Sequence, residues 1–185
     1  MFLTLIDQKL YSLSSLKKGY KNLKFGGQLD IYNSKYVDWN TGSLGHSIGV
    51  ATGLAIKNPE KKIFVIVGDA EFEEGSIWEA IFYISEKKIK NILIIIDRNR
   101  MSASSIIKNK EIFDKKIINQ LYFDVVRING HNYEKIYKSF KKFKKKDKST
   151  IIIADTIKGK GFKIFENNKK YSHEMPKNEI LKNLI

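Results

Sequence analysis

KIFVIVGDAEFEEGSIWEAIFYISEKKIKNILIIIDRN, residues 62–99, contains one full unit of an alternating architecture. Its two ends, Lys62–Val67 and Ile92–Asp97, are rich in β-branched residues and apolar nearly throughout. Each therefore reads as a strand covered on both faces, as in a parallel sheet. Between them, Glu73–Glu86 has helical length. Ile77, Ile81 and Ile84, with Trp78 and Phe82 alongside, recur at three- and four-residue spacing and form an apolar face. Downstream, Phe123–Ile128 and Thr150–Asp155 repeat the strand pattern, and Lys110–Gln120 and Tyr133–Lys145 have helical length. The order β-α-β-α-β-α-β predicts an α/β fold: an open, doubly wound, mostly parallel sheet with helices on both faces.

Upstream, Thr41–Ile56 (TGSLGHSIGVATGLAI) is a glycine-rich entry into a helix. Gly42, Gly45, Gly49 and Gly53 permit close backbone approach there. Phe25-Gly26-Gly27 suggests a turn, and the polar stretch from Lys158 reads as loop. The chain has 185 residues, which is the size of one domain. Residues 1–185 are expected to form that single domain, without repeats or a Pro-rich linker.

With 42% hydrophobic and 29% charged residues, the composition excludes a disordered tail. No run reaches the roughly 20 apolar residues of a membrane span, and the opening MFLTLIDQKLYSL lacks a basic leader with a cleavage site. A cytoplasmic protein is expected. Zero cysteines exclude disulfides and thiolate chemistry. The formal charge of +14 invites a nucleic-acid reading. However, only Arg98, Arg100 and Arg127 are arginines, whereas base-edge readout favours the arginine fork. The basic run Lys138–Lys148 (KSFKKFKKKDK) reads as a solvated helix face, and no specific nucleic-acid partner is expected.

In open α/β sheets, ligands bind at the carboxyl edge of the strands. Gly68-Asp69 follows one strand and Asp97-Arg98-Asn99 ends the next. Asp69 and Asn99 lie one strand-helix-strand unit apart, so parallel neighbouring strands would present a carboxylate and an amide oxygen at the same edge. A hard divalent cation such as Mg²⁺ wants oxygen ligands and keeps phosphate oxygens and water in its remaining positions. That combination would anchor a diphosphate. Each residue also has a bland role: Asp69 as a helix N-cap, Asn99 as a turn residue, His46 as a helix-start residue and His131 as a turn or helix-entry residue.

Gly68-Asp69-Ala70-Glu71, running through Glu74-Gly75-Ser76-Ile77-Trp78-Glu79-Ala80 to Asp97-Arg98-Asn99, resembles the thiamine-diphosphate motif of transketolases. TGSLGHSIGVATGLA (41–55) resembles the same family's TGxLGxG segment. KGKGFKIFENNKKYSHEMP (158–176) resembles its KGKG…ENN…H-x-x-P ending. The likeness is to the separately encoded N-terminal subunit of split transketolases.

The resemblance implies that Asp69, the Asn99 side chain and the Met101 carbonyl ligate Mg²⁺ or Ca²⁺. Gly68, Ala70 and Glu71 belong to the motif that holds the cofactor, with the Ala70 N–H at the diphosphate. Gly42, Ser43 and Leu44 line the cofactor from the opposite side. His173 matches a histidine near cofactor and sugar, and Glu74 an acid at the subunit contact. Both His173 and Glu74 are candidates for a catalytic part.

The implied activity is transfer of a two-carbon ketol unit from a ketose phosphate to an aldose phosphate. It requires thiamine diphosphate and a partner, the C-terminal transketolase subunit with its pyrimidine-binding domain, in a homo- or hetero-oligomer. Residues 1–40 contain no histidine, although the family carries SGHxG-like and KGH-like blocks ahead of TGxLG. The N-terminus is therefore expected to be the remnant of a longer region, and the chain to be silent on its own. A degenerate, non-catalytic scaffold of the same fold, or a component of a different thiamine-diphosphate enzyme, are the alternatives.

Overall fold

The computed structural model describes residues 6–15, 30–32, 34–102, 118, 120–145 and 147–172. The chain forms two compact units, Met1–Leu44 and Gly45–Ile185. In the first, the Tyr11 hydroxyl donates to Ser34 Oγ at 3.2 Å, and Tyr11 and Tyr36 meet edge to face with centroids 5.5 Å apart.

The second unit holds the sheet. In chain order it runs α1 (His46–Lys57), β1 (Ile63–Gly68), a 3-10 turn (Glu71–Glu73), α2 (Gly75–Glu86), β2 (Ile92–Arg98), β3 (Asp124–Asn129), α3 (Tyr133–Lys145), β4 (Thr150–Asp155) and a second 3-10 turn (Lys169–Ser172). The strands lie in the order β1-β2-β4-β3, and every pairing is parallel. β4 and α3 match their expected bounds, and β1 and β3 begin one residue later than expected. The expected helix Lys110–Gln120 lies almost wholly outside the described residues. Among the described residues no helix is long and apolar enough to cross a membrane.

Alternating strand residues build two cores. One face gathers Val65, Val67, Ile92, Ile94, Ile96, Ile151 and Ile153 under α1 and α2. These helices contribute Ile48, Ala51 and Ala55, and Ile77, Ile81 and Ile84, each set at i, i+3 or i+4, i+7 spacing. The other face gathers Leu93, Ile128, Ile152 and Ala154 under Ile136, Phe140 and Phe143 of α3. This doubly wound layering places helices on both sides.

β1 departs from the expectation of a strand covered on both faces. Val65 and Val67 are buried, but Phe64 is 45% and Ile66 68% exposed. The reason is positional: α3 lies across the β2-β4-β3 side of that face, and its aromatic rings Phe140 and Phe143 reach only Phe64, at centroid distances of 5.8 and 5.7 Å. The aromatics of α3 are also not all buried: Tyr133 and Tyr137 are exposed among its lysines.

Candidate functional site at the carboxyl edge

The parallel register pairs Gly68 with Asp97, and the Asp69 N–H continues it by donating to the Asp97 carbonyl at 3.2 Å. Asp69 therefore leaves β1 level with the end of β2. Its side chain is 1% exposed. One carboxylate oxygen accepts the Ala70 N–H at 2.9 Å, and the other accepts the Arg100 N–H.

These contacts are not those of an N-cap. The following 3-10 turn is capped by Ala70 and α2 by Glu74, whereas Asp69 reaches across the sheet edge to the turn after β2. Burial raises its pKa above the ordinary aspartate range, with the Asp97 charge acting in the same direction and the Arg100 and Ala70 N–H groups opposing. A carboxylate that is buried beside a second carboxylate is a position where a cation is electrostatically welcome.

Asn99 takes the anticipated role of a turn residue. Its Oδ1 accepts the Met101 N–H at 2.9 Å, an Asx turn. Its Nδ2 donates to Asp97 Oδ2 at 3.2 Å. A carboxylate can only accept, so Asp97 fixes which end of the Asn99 amide carries the nitrogen and turns the oxygen the other way. Asp97 is itself held by the Thr156 hydroxyl, which donates to its Oδ1 from just beyond β4. Among the described residues no group of three His, Asp or Glu side chains could hold a metal. A cation here would rely on the Asp69 carboxylate and on amide and carbonyl oxygens. That oxygen-only donor set fits a hard ion.

Glu71 is a fastener. Its Oε1 accepts the Gly45 N–H at 2.9 Å and the Ser47 hydroxyl at 3.5 Å, and its Oε2 accepts the Gly68 N–H at 3.3 Å. The carboxylate thus ties the start of α1 to the end of β1. Gly45 sits at φ +84°, and a Cβ there would lie 2.4 Å from Ser76 Oγ and 2.9 Å from Glu74 Cβ. Only glycine lets the loop before α1 press against the start of α2.

The structure thus brings Gly68, Asp69, Ala70, Glu71, Asn99 and Met101 to one edge. The Ala70 N–H faces Asp69, and Glu74 is exposed at the head of α2. Gly42 (φ +117°), Ser43 and Leu44 belong to the first unit. His173 lies outside the described residues. His131 is the turn residue before α3, and its Nε2 accepts the Ile157 N–H at 2.8 Å. The second-unit residues that sequence reasoning did not assign are Asp97 and Thr156, which orient Asn99, and Gly45, whose backbone Glu71 holds. Asp97 stood beside Asn99 in the motif, but its partner Thr156 is 59 residues away and left no local signal.

Comparison with known proteins gives the family. The transketolase thiamine diphosphate binding domain matches residues 2–181. The chain belongs to that family. It is 32% identical over 167 residues to an apulose-4-phosphate transketolase subunit of Actinobacillus succinogenes, covering 86% of this chain and 60% of that protein. It is 30% identical to the 1-deoxy-D-xylulose-5-phosphate synthase of Fusobacterium nucleatum, covering 78% of this chain and 32% of that one. Among solved structures, transketolase from Campylobacter jejuni superimposes with a TM-score of 0.72 at 30% identity, over 80% of this chain and 25% of that one. The transketolase-domain chain therefore spans between 25% and 60% of the length of these relatives.

Proposed function

We propose that this chain binds thiamine diphosphate through Mg²⁺ and forms the diphosphate-binding half of a transketolase-type enzyme. The reaction is transfer of a two-carbon ketol unit from a ketose phosphate to an aldose phosphate, completed by a second polypeptide with a pyrimidine-binding domain. The observation that carries this reading is the buried Asp69 carboxylate, tied by backbone N–H groups to both strand ends beside an oriented Asn99.

Asp69, the Asn99 amide oxygen and the Met101 carbonyl would hold the cation. Gly68 and Ala70 would offer backbone to the diphosphate, and Gly42, Ser43 and Leu44 match the family's other cofactor-contacting segment. When bound, the cofactor supplies a stabilised carbanion. The chain supplies position: Asp97 and Thr156 orient Asn99, and Glu71 holds the two loops in register. Glu74 meets an acid of the partner, and His173 stands near cofactor and sugar.

A relative is named as one subunit of an apulose-4-phosphate transketolase, which supports the need for a second polypeptide. The synthase relative supports a second reading, the same cofactor site serving another donor. The deciding experiment is titration calorimetry of thiamine diphosphate with Mg²⁺, with and without a pyrimidine-domain partner, followed by a ketol-transfer assay. Binding that Asp69→Asn abolishes, with activity only in the assembled pair, is expected. Equal binding by wild type and Asp69→Asn would overturn the assignment.

A further inference from the structure

The sheet face opposite α1 and α2 is only partly covered. Strands lie about 4.8 Å apart and packed helices about 8–10 Å apart, so one helix covers roughly two strands. This face spans four strands and carries one described helix, α3. Leu93, Ile128, Ile152 and Ala154 are buried beneath it. Phe64 and Ile66 of β1 stay exposed, and Ile95, the register partner of Ile66, is half-buried. These three residues form the apolar floor of a trough beside α3. Parallel strands are ordinarily covered on both faces, and the element that covers them is a helix. The trough therefore has the width and the chemistry that suit one more amphipathic helix.

α3 forms the wall of the trough, and its charges are sorted. Lys142 reaches Asp124, at the start of β3, at 3.6 Å. That flank of the helix faces β3, so the opposite flank overhangs β1. The rings of Phe140 and Phe143 agree with this direction, since both meet Phe64. At about 3.6 residues per turn, Tyr133, Tyr137, Lys141 and Lys144 follow one another along the β1 flank. All four are exposed, and Lys141 Nζ lies 4.7 Å from the centroid of the Tyr137 ring.

Little on the trough opposes these cations. β1 carries no charge. The one acid of α3, Glu134, pairs with Lys138 at 2.6 Å on the outer side of the helix. Asp69 and Asp97 stand at the carboxyl edge, whereas α3 runs back from that edge and brings Lys141 and Lys144 to the amino half of the trough. An apolar floor under a lysine rim complements a helix whose apolar stripe is flanked by Asp or Glu. A second copy of the chain is a poorer match, because it would bring a further formal charge of +14 to the same rim. Nucleic acid would satisfy the lysines and leave the floor uncovered.

We propose that this trough docks an amphipathic acidic helix of another polypeptide, with its apolar stripe on Phe64, Ile66 and Ile95 and its carboxylates against Lys141 and Lys144. The surface is a sheet face and not the carboxyl edge, and its occupation does not rest on the function proposed above.

The test titrates helical peptides of about 18 residues, long enough to hold a helix in water, into the full chain and follows fluorescence anisotropy. One peptide carries Leu at i, i+3, i+4, i+7 spacing with Glu and Ala elsewhere. A second replaces each Glu by Lys, and a third scrambles the first so that the stripe is lost. Saturable one-to-one binding of the striped Glu peptide is expected, with none for the other two and no change on adding Mg²⁺ with thiamine diphosphate.

Ile66→Thr, which keeps the β-branched shape that a strand favours, should weaken binding severalfold. Lys141→Glu should do the same. Lys135→Glu makes the same charge change away from the trough and should leave the affinity nearly unchanged. All three are substitutions at exposed positions that should keep the wild-type melting temperature within about 3 °C. Equal affinity for the striped and scrambled Glu peptides, or equal losses in Lys135→Glu and Lys141→Glu, would overturn the proposal. So would displacement of the peptide by a single-stranded oligonucleotide, or a dimer of the chain in sedimentation that Ile66→Thr dissociates, which would give the face to nucleic acid or to a second copy.

Discussion

Removing the Glu71 carboxylate tests the fastener directly. Glu71→Ala strips the acceptor from two backbone N–H groups, Gly45 at 2.9 Å and Gly68 at 3.3 Å, and from the more distant Ser47 hydroxyl. A hydrogen bond to a charged group contributes about 1.5–3 kcal/mol, and an orphaned, partly buried donor costs about 1–3 kcal/mol. The Gly45 bond has full strength, the Gly68 bond is longer and weaker, and the Ser47 contact adds little, so the expected loss is about 2–4 kcal/mol. For a chain of this size that lowers the melting temperature by roughly 4–16 °C. Glu71→Gln keeps one acceptor oxygen but turns an NH₂ toward the other donor, so it should fall between Ala and wild type. Urea and thermal denaturation of the three proteins would measure this. A melting temperature for Glu71→Ala within about 1 °C of wild type would refute the fastener, as would Gln matching Ala.

Gly45→Ala should cost about 2–4 kcal/mol by denaturant midpoint, from left-handed strain of about 1–2 kcal/mol and the contact with Ser76 Oγ. Adding Ser76→Gly should recover the contact share only. Asp69→Asn removes a charge that burial disfavours but turns an NH₂ toward one of the two backbone N–H groups the carboxylate accepts, so the gain and loss offset in the cation-free chain while stabilisation by added Mg²⁺ disappears. Retention of the Mg²⁺ stabilisation in the variant would contradict this. Thr156→Val leaves net charge unchanged but removes the donor that holds Asp97. Mn²⁺ affinity, read by electron paramagnetic resonance, should weaken severalfold with little change in melting temperature. Asp155 is pushed up by burial, but the hydrogen bonds and charges of Arg127 and Arg98 outweigh this and hold its carboxyl below the ordinary range. Its contribution to stability is present above the unfolded aspartate pKa and is lost as pH falls through the lower folded value. Asp155→Asn should flatten that acid-side slope in a pH series of melting curves.

The four strands and α3 were legible because each is a short run in which burial alone sets residue type. Ile151, Ile152 and Ile153 are all buried, and such a run has few alternatives. The exposure of Phe64 and Ile66 was not legible, since the same apolar pattern describes a covered strand and one whose second face is open. At the site, Asp69 and Asn99 could be found because strand ends and one spacing sufficed. The links from Glu71 to Gly45 and from Asp97 to Thr156 span 26 and 59 residues. They follow from the fold and from no periodicity. The convergence of Arg98 and Arg127 on Asp155 was likewise invisible until the strand order put β4 between β2 and β3.

That strand order also governs how the chain can assemble as it emerges from the ribosome. β4, the latest of the described strands in chain order, is inserted between two older ones, and β3 has no hydrogen-bonded neighbour in the described sheet except β4. Until residues 150–155 are available, β2 can pair only with β1, and β3 must wait unpaired with its apolar residues uncovered. Closure is therefore a late, long-range event with a high loop-closure cost. A nascent chain stalled before residue 150 should recruit chaperones far more strongly than one stalled after the sheet has closed.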